Sequence, residues 1–263
     1  MKVVSLVVEG LEQAQQGGLF EWLHEVDADV ICLQDTRCSE YSLKDDVFFP
    51  EAYNAYFLDD FENPTQNGVA IYCKQLPKAM MSGLGFADFD GKGLYLQADY
   101  NNVSIGSLLM PSGRDGEAAM NSKFKFMELL SQHLQKVRNK RRGFIICGGW
   151  ELLANSIDAE EAGNRVDIPG FSDIEQGWLQ SVLPTATATR SGPSILNPTP
   201  LPGGPMAMMP ADFELIRRSF PYPWTVALTA QRSMTPKRFR TMLRSLLTTT
   251  WTFNPTAPRA ASL

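Results

Sequence analysis

The stretch Ala28-Asp29-Val30-Ile31-Cys32-Leu33-Gln34-Asp35-Thr36-Arg37 decides how this chain is read. Its centre, 30–33, is an almost continuous apolar run, as expected of a strand buried on both faces. A buried strand that runs straight into Gln-Asp-Thr-Arg places a carboxylate where a sheet ends and a loop begins, which is where chemistry collects in layered α/β folds. Asp35 can there be a metal ligand, an acid/base group, or only a cap for the next helix.

Working outward, strands and helices alternate. Residues 3–8 form a strand-like run, and 11–26 have the spacing of a helix with Leu11, Leu19, Phe20 and Leu23 on one face. Asn67-Gly68 signals a turn into the strand 69–73, and Asn101-Asn102 separates two runs, 94–100 and 103–109, that suit a hairpin. The longest helix is expected over 116–138, with Met127, Leu130, Leu134 and Val137 at helical spacing. Residues 144–148 make another buried strand, ending in Gly148-Gly149-Trp150-Glu151. The pattern predicts an α/β fold of sheet covered by helices.

Composition excludes several classes and exposes a break. The 263 residues are 44% hydrophobic and 20% charged, with a net charge of −5, which fits neither a disordered chain nor a membrane protein. The apolar start ends at Glu9, too short for a signal peptide or a span. Cys32, Cys38, Cys73 and Cys147 lack the paired spacing of a zinc site and read as buried reduced thiols, so a cytoplasmic protein is expected. Residues 1–183 carry 15 basic and 27 acidic side chains, whereas 184–263 carry 9 basic side chains, only Asp212 and Glu214 as acids, and 12 of the 17 prolines. The run Lys136-Val137-Arg138-Asn139-Lys140-Arg141-Arg142 closes the long helix. It is either a solvated helix end that complements the dipole or a phosphate-contacting patch.

The 28–37 stretch resembles the Leu-Gln-Glu-Thr-Lys box of the exonuclease III-type abasic endonucleases, of the endonuclease/exonuclease/phosphatase superfamily. Met110-Pro111-Ser112-Gly113 with Asn121-Ser122-Lys123-Phe124, and Ile168-Pro169-Gly170-Phe171 with Gln176-Gly177-Trp178-Leu179, follow in the same group's order. The Asp in the box, Pro-Ser-Gly, and Lys123-Phe124-Lys125-Phe126-Met127 are similar to the catabolite repression control proteins of that group. The resemblance implies a four-layer αββα sandwich, with residues 1–183 as its recognisable part and the second lobe incomplete. It also implies magnesium- or manganese-dependent phosphodiester hydrolysis on DNA. The control-protein branch implies instead a non-catalytic regulator on RNA beside an Hfq-type chaperone.

Residue by residue, the catalytic set is thin. The resemblance puts Val7 at the first-strand Asn, Asp35 at the metal acid, Leu109 near the Tyr, and Gly149 and Glu151 at the Asp and Asn of a Gly-Asp-x-Asn turn. Ser-Asp-His is absent, and His24 and His133 both fall on expected helices. Asp35 is the one retained catalytic candidate, and Glu9 and Glu151 are the carboxylates that could join it around a metal. Lys123, Lys140, Arg141 and Arg142 are the candidates for contacting nucleic acid.

The tail reads as an out-of-frame product. Back-translated from third codon positions, Pro202–Ala207 can give Trp-Trp-Pro-Asp-Gly, and Phe239–Arg244 can give Ser-Asp-His-Ala-Pro, the group's terminal motif. A frameshift near 182–185 is expected, leaving 196–210 without a strand and 235–250 as a basic helix.

Overall fold

The computed structural model describes residues 1–152, 169–182 and 224–229. The first sheet has the order β1-β2-β4-β3, from Val3–Val7, Val30–Gln34, Val69–Cys73 and Asn54–Leu58 respectively. β1 and β2 run parallel, and the other two pairings are antiparallel. The second sheet has the order β5-β6-β7-β8-β9, from Ala79–Ser82, Tyr95–Asp99, Val103–Leu109, Gly143–Gly149 and Trp224–Thr229. Its last two pairings, β7 with β8 and β8 with β9, are parallel.

Burial of β2 and β4 explains why both read as unbroken apolar runs: all five positions of each are buried. Side chains alternate between faces with period two. Val30, Cys32, Val69, Ile71 and Cys73 join the core between the sheets. Ile31, Leu33, Ala70 and Tyr72 join the core beneath helices α1 (Leu11–Gln16) and α2 (Leu19–Val26). On the far side, α3 (Glu117–Arg138) packs Phe126, Met127, Leu130, Leu134 and Val137 against the outer face of the second sheet, where the Phe126 ring meets those of Phe86 and Phe89. Helix α4 (Asp173–Val182) packs on α3, and its Trp178 indole donates to Met127 O at 2.8 Å and Ser131 Oγ at 2.7 Å. The order is helices, sheet, sheet, helices, which is the expected four-layer αββα sandwich.

One expectation changes. The helix expected over 11–26 is two helices, because Gly17-Gly18 interrupts it and Gly18 takes a left-handed φ of 91° that an α-helix cannot contain. The second sheet takes its last strand from the 184–263 segment. β9 lies in the 184–263 segment and pairs with β8 from Phe144↔Trp224 to Gly149↔Thr229. Its run Trp-Thr-Val-Ala-Leu-Thr is rich in the aromatic and β-branched residues that suit a pleated surface. The loop expected over 196–210 and the helix over 235–250 lie outside the described residues. The four cysteines are free and buried, as their apolar settings imply. No helix among the described residues is long and apolar enough to cross a membrane.

Candidate active site at the carboxyl ends of the strands

The strands β1, β2, β7 and β8 finish at one end of the sandwich, and Gly149 marks where they meet. A Cβ at Gly149 would lie 3.1 Å from Val7 Cγ2, 3.2 Å from Leu109 Cδ1 and 3.8 Å from Gln34 Cβ. Gln34 faces the other sheet and donates from Nε2 to Ser107 Oγ at 2.9 Å, and Ser107 donates in turn to Leu33 O at 3.0 Å. This buried polar tie fixes the spacing of the two sheets beneath the site, since breaking it would strand polar groups in the core.

Just past these strand ends the backbone is strained. Glu9, Asp35, Arg37 and Glu151 all adopt positive φ, between 49° and 61°. Left-handed backbone costs a non-glycine residue about 1–2 kcal/mol, and such residues cluster at functional sites. Main-chain bonds hold the conformation: Gly10 N donates to Asp35 O at 2.8 Å, Leu11 N to Thr36 O at 2.8 Å, and Arg37 N to Asn67 O at 2.7 Å. The close packing that clamps this turn extends to Gly68, where a Cβ would sit 2.4 Å from Thr36 Oγ1.

The turn pairs Asp35 with Arg37. The guanidinium grips both carboxylate oxygens, Nε to Oδ1 at 3.0 Å and Nη2 to Oδ2 at 2.6 Å. Glu151, whose side chain is 8% exposed, forms an ion pair with Arg114, Oε2 lying 3.1 Å from Nη2. Burial pushes the Glu151 carboxyl above its ordinary pKa; Arg114 and Lys123 oppose the rise, and Asp35 and Glu9 add to it. Arg37 is held protonated more firmly than usual by its hydrogen bond to Asp35, working against burial, with further attraction from Asp35, Glu9 and Glu151. Of the three acids expected around a metal, Asp35 and Glu151 are each paired with an arginine, Arg37 and Arg114 respectively.

This arrangement does not fit the divalent cation implied by the resemblance. Both Asp35 oxygens are spent on a guanidinium, and no three His, Cys, Asp or Glu side chains among the described residues are disposed to hold a metal ion. A hard cation needs several such oxygens directed at one point.

The expected nucleic-acid contacts are scattered. Lys123 is fully buried, and its ammonium donates to Glu175 Oε1 at 2.5 Å and Glu151 O at 2.6 Å, so no phosphate reaches it. Arg142 donates to Tyr100 O at 2.6 Å and Val103 O at 3.2 Å, tying the end of α3 to the β6–β7 hairpin. Lys140 lies over the Phe144 ring, while Arg141 is exposed. His24 and His133 are both on helices, α2 and α3, away from the strand ends. Sequence reading missed Arg37, Arg114 and Glu175. The first of these was legible in principle, since a cation two residues from a strand-end acid can fold back on it.

The Endonuclease/Exonuclease/phosphatase family model matches residues 10–259. The Bacillus subtilis exodeoxyribonuclease is 27% identical over 177 residues, 67% of this chain and 68% of that one. The Danio rerio DNA repair nuclease APEX1 is 24% identical over 182 residues, 68% of this chain but only 58% of its own length. Among solved structures, an AP endonuclease from Archaeoglobus fulgidus superposes with a TM-score of 0.59 at 21% identity, covering 70% of each chain. With a match across nearly its whole length, the sandwich described above belongs to the Endonuclease/Exonuclease/phosphatase family.

Proposed function

We propose that this chain is a relative of the exonuclease III-type DNA repair nucleases that keeps their sandwich and has lost phosphodiester hydrolysis. The observation that supports the reading is the state of Asp35, the one retained catalytic candidate, both of whose oxygens accept from Arg37. Val7, Leu109 and Gly149 stand where the resemblance expects an amide, a phenol and a carboxylate. Each lost preorganised group commonly costs ~10²–10³ in rate, so several losses together leave nothing measurable. The names of the similar proteins, an exodeoxyribonuclease and a DNA repair nuclease, support DNA as the inherited substrate.

Residues 184–263 belong to the same proposal as an out-of-frame segment. The abrupt change from 27 acids in 1–183 to two in the tail supports it, as do the two codon readings. Strand β9 and the family match running to residue 259 are instead what an in-frame tail would provide. The gene's nucleotide sequence across codons 175–190 distinguishes them: third bases that forbid Ser-Asp-His-Ala-Pro refute the frameshift. Nicking of an abasic duplex with magnesium, beside RNA binding with and without an Hfq-type partner, tests the function. Asp35-dependent nicking overturns the proposal, and partner-dependent RNA binding without cleavage replaces inactivity with regulation, in a cytoplasmic protein.

A further inference from the structure

We propose that the end of the sandwich opposite Asp35 carries a binding surface for the phosphate backbone of duplex DNA, built from Lys78, Lys136, Lys140 and Arg141. The inference goes beyond the loss of hydrolysis, because it gives the chain a hold on DNA away from the strand-end acids. Residues 1–183 carry 27 acids, yet the stretches 63–87 and 129–150 hold none and contribute Lys74, Lys78, Lys136, Arg138, Lys140, Arg141 and Arg142. The fold brings the two stretches to one place. β8 pairs with β7 from Val103↔Gly143 to Leu109↔Gly149, so Arg141 and Arg142 enter at the end remote from Gly149. β5 pairs with β6 from Ala79↔Asp99, and Lys78 N donates to Asp99 O at 2.7 Å at that same end. Arg142 joins the two stretches, its Nη1 lying 3.7 Å from Asp99 Oδ2.

The fold uses some of these cations and leaves others over. Lys74 is paired with Asp27 and Arg142 with Asp99, and Arg142 also donates to Tyr100 O and Val103 O. Asp99 accepts besides from Gln97 Nε2 at 2.9 Å and Ser104 Oγ at 2.5 Å, which leaves it little to offer a further cation. Lys78, Lys136, Lys140 and Arg141 are exposed and have no acidic partner among the described residues. Exposed Asn101, Asn102 and Asn139 add amide donors to the same end. The α3 dipole is felt only within its last turn, so it accounts for Lys136 but not for Lys78. Salt screening over about 8 Å keeps the acids at the other end from cancelling the patch. The Phe144 ring beneath Lys140 is buried and offers no face to a base, so the contacts are to phosphate and indifferent to sequence.

Fluorescence anisotropy of the full-length chain with a short labelled duplex, titrated at about 50 to 200 mM salt, tests this without reference to cleavage. The wild type should bind with an affinity that falls as salt rises. The triple variant Lys136→Gln, Lys140→Gln, Arg141→Gln should bind about tenfold weaker or more at the lowest salt. Its log–log salt slope should be smaller by about 2–3, since about 0.9 is lost with each phosphate contact. Lys92→Gln removes an exposed lysine bridged to Asp60 at the other end, and should change the slope by less than about 0.5. Lys78→Gln, on a separate element, is the second variant should the triple one lose its native circular dichroism, and should lower the slope by about 1. A folded triple variant that binds like the wild type overturns the inference and moves the contact to the basic 184–263 segment. Absence of binding by the wild type overturns it too, as does tighter binding of polyglutamate than of the duplex. No arm reads incision, so this inference and the inactivity of the chain can fail separately.

Discussion

Replacing Glu175 by Ala should be among the most damaging single changes in this protein. Glu175 sits on α4 with a fully buried side chain, 2.5 Å from the equally buried Lys123 ammonium of α3. Its two oxygens also accept from Gly170 N, at 3.0 and 2.9 Å, from Ser172 N at 2.9 Å and from Ser172 Oγ at 2.8 Å. Truncation strands a buried ammonium and two main-chain donors, which costs about 3–5 kcal/mol. Lys123→Met leaves Glu175 with its Gly170 and Ser172 donors, so its cost should be smaller, about 2–3 kcal/mol. The double variant should be less destabilised than the sum of the singles by roughly 2 kcal/mol, as residues in one network are coupled. Urea unfolding followed by tryptophan fluorescence measures all three, since Trp178 lies on α4 three residues after Glu175 and its ring is 6.3 Å from that of Trp150. A Glu175→Ala cost under about 1 kcal/mol, or strictly additive singles, would refute the reasoning.

Other consequences are as direct. Gly68→Ala should destabilise by about 2–3 kcal/mol in the same assay, because Gly68 has φ +99° and a Cβ would lie 2.4 Å from Thr36 Oγ1. His133 packs edge-on to the Phe86 and Tyr95 rings, and burial, then Lys140 and Lys136, push its pKa below 6.5. Its unfolded form then takes a proton before its folded form, so stability holds above pH 6.5 and falls as pH drops below it. His133→Phe should flatten that part of the profile, and an unchanged acid limb would contradict the assignment. Arg114→Ala should leave stability within about 0.5 kcal/mol, since its pair with Glu151 is solvent-exposed on the arginine side.

Period and burial made the sandwich's interior strands legible, and the same physics explains what stayed hidden. β2 and β4 announce themselves because both faces are covered. β5, Ala-Met-Met-Ser, is a mostly exposed edge strand with no alternation to read, and β3 is only partly buried. The break at Gly17-Gly18 was masked because Leu19, Phe20 and Leu23 continue the spacing of Leu11 on a second helix. In the site, Asp35, Glu9 and Glu151 were identifiable as strand-end acids. Their partners were not: Lys123 and Glu175 lie 52 residues apart, and no local pattern links Arg114 to Glu151. A lysine in a basic-looking motif reads as surface until its acid is found.

The central claim, a repair-nuclease sandwich without hydrolysis, is tested most directly by single-turnover incision of an abasic duplex. Full-length wild-type chain in excess should be compared with Asp35→Ala in the presence of magnesium. The account predicts no incision above buffer by either protein, over hours. Incision by the wild type that Asp35→Ala abolishes would contradict it.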